Sequence, residues 1–182
     1  MTARTGRDRQ PRAPMSAARA VAVLEHLRRR GIPAWLEGGW GIDALLRRQT
    51  REHDDLDVIL DLEQADEAES ALLELGYATK RGAAPLSFEL VDDEGHQVDV
   101  HPVSFLPNGD ALYRMDDGRD WTYPAGSFVE AGRIAGRCVG CLTPELALVC
   151  HSQGYALDDE HQRDVHAVCD QFGLAFPAIR TA

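Results

Sequence analysis

The chain has 182 residues, 44% of them hydrophobic, and a net charge of −11 from 30 acidic and 19 basic residues. That length allows one substantial core with a small appendix, not a string of domains. The acidic balance excludes a general binder of nucleic-acid backbones, which needs a basic face, and fits small-molecule chemistry with a metal better.

Residues 1–14 stand apart: Arg4, Arg7, Arg9 and Arg12 against Asp8, with Pro11, Pro14 and almost no apolar content, predict a disordered leader. It lacks the apolar segment of a secretory signal, and Met15 is an equally good start. No later stretch has transmembrane length, so a cytoplasmic protein is expected. The cysteines Cys138, Cys141, Cys150 and Cys169 are then expected as reduced thiols. A zinc site from Cys138, Cys141, Cys150 and His151 is conceivable, but the second pair lacks ligand spacing, and plain packing of Cys138 and Cys141 in a strand is the expectation.

In chain order, Ser16 caps a helix through residue 30, with Val21, Leu24 and Leu27 along one stripe and Arg28, Arg29 and Arg30 at the C-terminal end. Gly31 stops it. Residues 32–37 read as a strand, and Gly38-Gly39 turns the chain into a helix over 40–48. Residues 55–60 form a second strand through the apolar run Leu56, Val58, Ile59, Leu60. A helix over 64–75 closes on Gly76, followed by a weak strand over 77–81. Strands over 86–91 and 96–103 flank Asp92-Asp93-Glu94-Gly95, a hairpin turn that pairs them antiparallel.

Residues 105–133 have no sustained period and read as an extended connection with short strands, a lid or a binding wall. Residues 134–142 are a strand. Thr143-Pro144-Glu145 opens a helix to about residue 154, and a last helix spans 158–172. The architecture is α+β: a mixed, mostly antiparallel sheet with flanking helices over 15–142, then a small helical part over 143–182.

Chemistry concentrates at two places. About five carboxylate pairs at i, i+2 arise by chance from 30 acidic residues in 182, so Asp55-Leu56-Asp57 needs its context. That context is a strand, which turns Asp55 and Asp57 to one face, and the Gly38-Gly39 turn one short helix earlier. Paired carboxylates form a hard-oxygen site, and magnesium takes one or two of them together with substrate phosphates. Backbone N–H groups at a glycine turn opening a helix suit those phosphates. The bland alternative is an ordinary turn and a solvated acidic face.

A hydroxyl to be deprotonated needs a third acid. In His96-Gln97-Val98-Asp99-Val100-His101-Pro102, alternation sends Val98, Val100 and Pro102 to the core and Gln97, Asp99 and His101 to a polar face. Asp99 is the carboxylate there, otherwise a solvated residue on the open side of the sheet. Arg51 could touch the triphosphate, or pair with Glu52 or Asp54 at the surface. His53 packs against or caps the turn, Trp40 belongs to the core, and Tyr155 is a candidate pocket wall.

Gly38-Gly39, Asp55-x-Asp57 and the later Asp99 resemble the three-part signature of the DNA polymerase β-like nucleotidyltransferase superfamily. Glu37-Gly38-Gly39-Trp40-Gly41-Ile42-Asp43-Ala44-Leu45-Leu46 and Thr50-Arg51-Glu52-His53-Asp54-Asp55-Leu56-Asp57 resemble, more narrowly, the antibiotic-modifying aminoglycoside 2''- and lincosamide nucleotidyltransferases. A looser likeness runs through Gly136-Arg137 and Thr143-Pro144-Glu145 to Gly154-Tyr155, covering most of the chain after Met15.

The resemblance implies that Gly38 and Gly39 hold ATP or another nucleoside triphosphate, that Asp55 and Asp57 bind Mg2+, and that Asp99 serves as metal ligand or general base. The implied reaction moves a nucleoside monophosphate, AMP from ATP, to a hydroxyl of a small acceptor such as an aminoglycoside or lincosamide, releasing pyrophosphate. His101 would then face the acceptor, and a histidine where relatives tend to be acidic counts against an aminoglycoside preference. The alternatives are a non-catalytic nucleotide-binding or protein-interaction module of the same fold, like toxin–antitoxin relatives, and a macromolecular acceptor such as protein or tRNA. Three carboxylates argue against the first, acidic charge against tRNA.

Overall fold

The computed structural model describes residues 13–115, 117–152 and 159–177. Helix α1 (Ala17–Arg29) forms as its sequence dictates: the Ser16 hydroxyl accepts from the Arg19 N–H at 3.3 Å, and Ala20, Val23, Leu24 and Leu27 bury one stripe. Short β1 (Ala34–Leu36) leads to α2 (Gly38–Leu46), then β2 (Asp55–Asp61), a 3-10 turn, and α3 (Ala65–Glu74). Strands β3 (Ala78–Gly82), β4 (Phe88–Val91) and β5 (Gln97–Phe105) follow, and β4 and β5 pair antiparallel across the expected turn, where Gly95 N–H donates to the Asp92 carbonyl. Next come β6 (Ala111–Arg114), β7 (Asp120–Tyr123), β8 (Phe128–Ile134), β9 (Arg137–Leu142), α4 (Pro144–Ser152) and α5 (Asp159–Phe172).

The nine strands of the described residues join one sheet in the order β3-β4-β5-β2-β1-β9-β8, with β6 on β5 and β7 on β6. Among them β1 with β9 and β2 with β5 run parallel and the other pairs antiparallel, so the sheet is mixed and mostly antiparallel. One face is core: Leu56, Val58 and Leu60 of β2 and Val98 and Val100 of β5 are fully buried. Helices α1 and α3 pack on each other and reach β1 and β3, while α2, α4 and α5 pack together, with α2 against β8 and β9. Among the described residues, no helix is long and apolar enough to cross a membrane.

Several boundaries differ from the expectation. Helix α2 starts two residues early because Gly38, at φ +59°, already begins the turn, and it ends at Leu46 because Arg47 adopts a left-handed conformation at φ 57°. The strand expected over 134–142 is β9 preceded by a hairpin turn at Ala135-Gly136, both at positive φ, and β8 runs back from it through the end of the stretch expected as an extended connection with short strands. Residues 1–12 of the expected leader lie outside the described residues. Ala13 N–H, however, donates to the Gly95 carbonyl at 3.2 Å and Met15 is buried, so the end of that segment is part of the fold. On β9, Cys141 is buried as expected but Cys138 is exposed.

Candidate active site

Parallel pairing of β2 with β5 sets Asp57 directly opposite Asp99, Asp55 opposite Gln97, and Ile59 opposite His101. The three carboxylates and His101 thus share the face away from the core, as alternation predicts. That face is not simply open to solvent: Gln97 is fully buried, and its Nε2 donates to Asp99 Oδ1 at 2.5 Å. Glu37, the residue before the glycine turn, caps α2 and ties it to the same strand, its N–H donating to the Asp57 carbonyl at 3.1 Å.

The glycines are required by this approach. A Cβ on Gly38 would lie 2.0 Å from Asp57 Oδ2, and one on Gly39 would lie 2.2 Å from His53 Nδ1 and 2.9 Å from Arg51 Nη2. Behind the turn, buried His53 bonds through Nε2 to Asp43 Oδ2 at 2.5 Å and lies 4.8 Å, ring to ring, from Trp40. Asp43 also accepts from the Thr50 N–H at 3.0 Å and hydroxyl at 2.6 Å. These contacts fix the loop that delivers Arg51 and the aspartates. His53 and Trp40 are therefore structural, as expected.

A cleft of about 380 Å³ opens over this face. Gly38, Gly39, Arg51, Asp55, Asp57 and His101 line it, and Asp99 is set back against Asp57. Strands β6 and β7 contribute Tyr113, Trp121 and Tyr123, and Met115 follows β6, so part of the stretch expected as a lid or a binding wall lines the cleft. Glu37, Cys150, His151 and His161 complete the walls. None of these had a motif of its own, and only the position of Glu37, immediately before the glycine turn, could have flagged it. Tyr155 lies outside the described residues. Arg51 pairs with Asp164 of α5, Nη2 to Oδ2 at 3.1 Å, while Nη1 donates to the Glu52 carbonyl.

The electrostatics are those of crowded carboxylates. Burial first, then the charges of Asp57 and Asp55, push the Asp99 carboxyl up to about 7, against the Gln97 hydrogen bond. Burial works against the charge on His101, but its hydrogen bond to Asp57 and the charges of Asp57, Glu37 and Asp99 outweigh this and raise it to about 9. His101 Nε2 lies 3.3 Å from Asp57 Oδ1, and Nδ1 lies 2.9 Å from the Ser87 hydroxyl, which in turn meets the Tyr113 hydroxyl. Burial also raises Glu37, partly offset by His101 and by the Cys150 and Tyr123 donors. His151 is driven the other way by burial, and its Nε2 lies 3.3 Å from the Gly38 carbonyl.

A buried carboxyl pushed up further by two neighbouring carboxylates, as Asp99 is, is what a hard divalent cation relieves. Among the described residues no three His, Cys, Asp or Glu side chains already form a closed metal cage. A set of one or two protein carboxylates completed by phosphate oxygens is the arrangement that magnesium favours. Phosphates have a place beside them, at the N-terminal N–H groups of α2 flanked by Arg51.

The profile of the aminoglycoside-2''-adenylyltransferase family matches residues 20–168. A lincosamide resistance protein of Staphylococcus haemolyticus is 29% identical over 143 residues, 79% of this chain and 86% of its own. A 2''-aminoglycoside nucleotidyltransferase of Klebsiella pneumoniae is 34% identical over 122 residues, spanning 65% of this chain and 63% of its own. Among solved structures, the lincomycin-bound lincosamide antibiotic adenylyltransferase LnuA aligns with a TM-score of 0.76 and 26% identity, over 86% of this chain and 98% of its own. ANT(2'')-Ia in complex with adenylyl-2''-tobramycin aligns with a TM-score of 0.70 and 25% identity, over 86% and 89%.

Proposed function

Since the chain belongs to the aminoglycoside-2''-adenylyltransferase family, as a nucleotidyltransferase taking a nucleoside triphosphate and a small acceptor, we propose that it moves AMP from ATP to an antibiotic hydroxyl. The observation that carries this reading is the placement of Asp55, Asp57 and Asp99 on one sheet face beside the glycine turn of a cleft.

In this reading the α2 N–H groups at Gly38 and Gly39, with Arg51, hold the β- and γ-phosphates and aim the α-phosphorus at the sheet face. Asp55 and Asp57 would hold Mg2+ together with the phosphates, with Asp99 as the third carboxylate, and such a cation would supply neutralisation of the charge that develops on the transferred phosphate. The acceptor hydroxyl oxygen bonds to the α-phosphorus as the bond to the pyrophosphate oxygen breaks. Asp99 takes the hydroxyl proton, directly or through a water, and pyrophosphate leaves. His101, hydrogen-bonded to Asp57, walls the acceptor side.

For the acceptor, the walls favour a lincosamide over a polycationic aminoglycoside. Tyr113, Met115, Trp121 and Tyr123 are apolar or aromatic, and among the described residues that line the cleft Glu37 is the carboxylate beyond the metal pair. An ATP co-substrate and four cysteines outside any disulfide suit a cytoplasmic setting. The test is pyrophosphate release from ATP and Mg2+ with lincomycin, clindamycin, tobramycin and kanamycin as acceptors. Lincosamide-dependent release, lost in Asp57→Ala, is expected. Turnover undiminished in that variant overturns the site, and Mg2+-dependent ATP binding without turnover on any acceptor points to a nucleotide-binding module.

A further inference from the structure

We propose that Asp164, a buried carboxylate on α5, is a positioning residue that sets the Arg51 guanidinium for the triphosphate, so that the C-terminal helix completes the nucleotide site. The proposal rests on the assignment of Gly38, Gly39 and Arg51 to the triphosphate.

Asp164 has a side chain only 4% exposed, against 25% for Arg51, and their oxygen and nitrogen lie 3.1 Å apart. A carboxylate that deep in the protein is costly unless paired, so the pair forms wherever Asp164 is carried. With Nη2 on Asp164 and Nη1 on the Glu52 carbonyl at 3.1 Å, the plane of the guanidinium is set by two anchors from different parts of the chain. The same Nη2 lies 2.9 Å from where a Gly39 Cβ would be, so the oriented group sits at the mouth of the phosphate turn. Asp164 also acts electrostatically on His151, whose Nε2 meets the Gly38 carbonyl. One carboxylate of α5 therefore bears on both glycines, through Arg51 on one side and His151 on the other. An arginine ordered before the nucleotide arrives loses no rotamer freedom when it binds.

The sign of the effect separates positioning from bulk electrostatics. A carboxylate near a triphosphate with no positioning role repels it, and neutralising it tightens binding. If Asp164 orients Arg51, neutralising it weakens binding, and only for ligands that carry the outer phosphates.

The experiment uses the full chain and compares wild type, D164N, D164E, R51A and the D164N/R51A double variant. It measures Mg2+-ATP and AMP affinity by calorimetry, KM for ATP and for the acceptor, and thermal midpoint. The expected result is ATP binding about ten-fold weaker in D164N, the size of one lost charge-assisted contact, with AMP unchanged. KM for ATP rises alone, and the double variant is no weaker than R51A. ATP affinity unchanged or tightened in D164N while R51A weakens it overturns the positioning role. ATP affinity unchanged in R51A overturns the triphosphate assignment itself. Should D164N fail to fold, D164E decides: it keeps the charge pair but displaces the guanidinium, so ATP affinity lowered with AMP unchanged supports the proposal, and equal affinities overturn it.

Discussion

Asp57 and Asp99 are direct cross-strand partners on the parallel strands β2 and β5, 42 positions apart in the chain and side by side in the sheet. Like charges placed directly opposite each other on a sheet are destabilising on their own. The rise of Asp99 to about 7, from burial first and then from the charge of Asp57, expresses that repulsion in part.

From this relationship follows a stability test. Asp57→Asn and Asp99→Asn should each lower kcat by roughly 10²- to 10⁴-fold, the range for loss of a metal-binding or proton-accepting group. Without Mg2+, Asp99→Asn should not lower the thermal midpoint, because it removes a repelled charge, whereas Asp57→Asn also gives up the contact with His101. Mg2+-ATP should raise the midpoint of the wild type by mass action and that of Asp57→Asn far less. A midpoint several degrees lower in Asp99→Asn without metal would show the pair to be structural.

Gly38 offers a second test, because it is constrained twice. Its φ of +59° strains any residue with a side chain, at about 1–2 kcal/mol, and its Cβ would stand 2.0 Å from Asp57 Oδ2. Gly38→Ala should therefore unfold at lower denaturant and also lose ATP turnover, since the Asp57 carboxylate must swing away. At Gly31, also at positive φ (+75°) but with nothing within 4 Å of its would-be Cβ, the same change should cost stability alone. Equal turnover in the two variants would separate the glycine turn from the site.

What was legible in the sequence was local. Asp55, Asp57 and Asp99 are readable because strand alternation is a period-two property, and the Ser16 cap because it is a three-residue motif. Strand β8 was not, because the register shift between Val129 and Gly132 breaks its alternation, and the following turn at Ala135-Gly136 carries no hairpin dipeptide. The cleft walls were illegible for a different reason. Tyr123 meets Glu37 and His151 meets Gly38 across 86 and 113 positions of sequence, and such contacts are set by packing, not by any local pattern.

Those walls give a third prediction. Trp121 and Tyr113, cross-strand partners on β7 and β6, line the cleft. Trp121→Ala and Tyr113→Ala should raise KM for the acceptor about 5- to 30-fold, the effect of removing 1–2 kcal/mol of aromatic contact, and leave KM for ATP unchanged. Steady-state kinetics with each substrate varied in turn checks this. A rise confined to ATP would put the nucleotide base, not the acceptor, against these rings.

The last prediction concerns pH and lies far from the chemistry. Asp92, at the turn between β4 and β5, is buried, and burial alone would raise it. The His96 N–H at 2.8 Å, the His96 ring and Arg19 Nη1 at 2.7 Å more than offset this and hold it below the usual carboxylate range. Tyr77 and Glu94 share the cluster, with Glu94 on the other arm of Arg19. A carboxyl with a depressed folded pKa contributes stability that is complete above its unfolded pKa, near 3.9, and is lost as pH falls through the folded value. Asp92→Asn should thus cost about 2–3 kcal/mol at pH 7, the worth of charged hydrogen bonds to a buried group. The gap between variant and wild type should shrink as pH drops below about 4. Urea unfolding midpoints at pH 7, 5, 4 and 3 measure it, and a gap that stays constant down to pH 3 would show that the hydrogen-bond geometry at this turn, not the charge, holds α1 to the sheet.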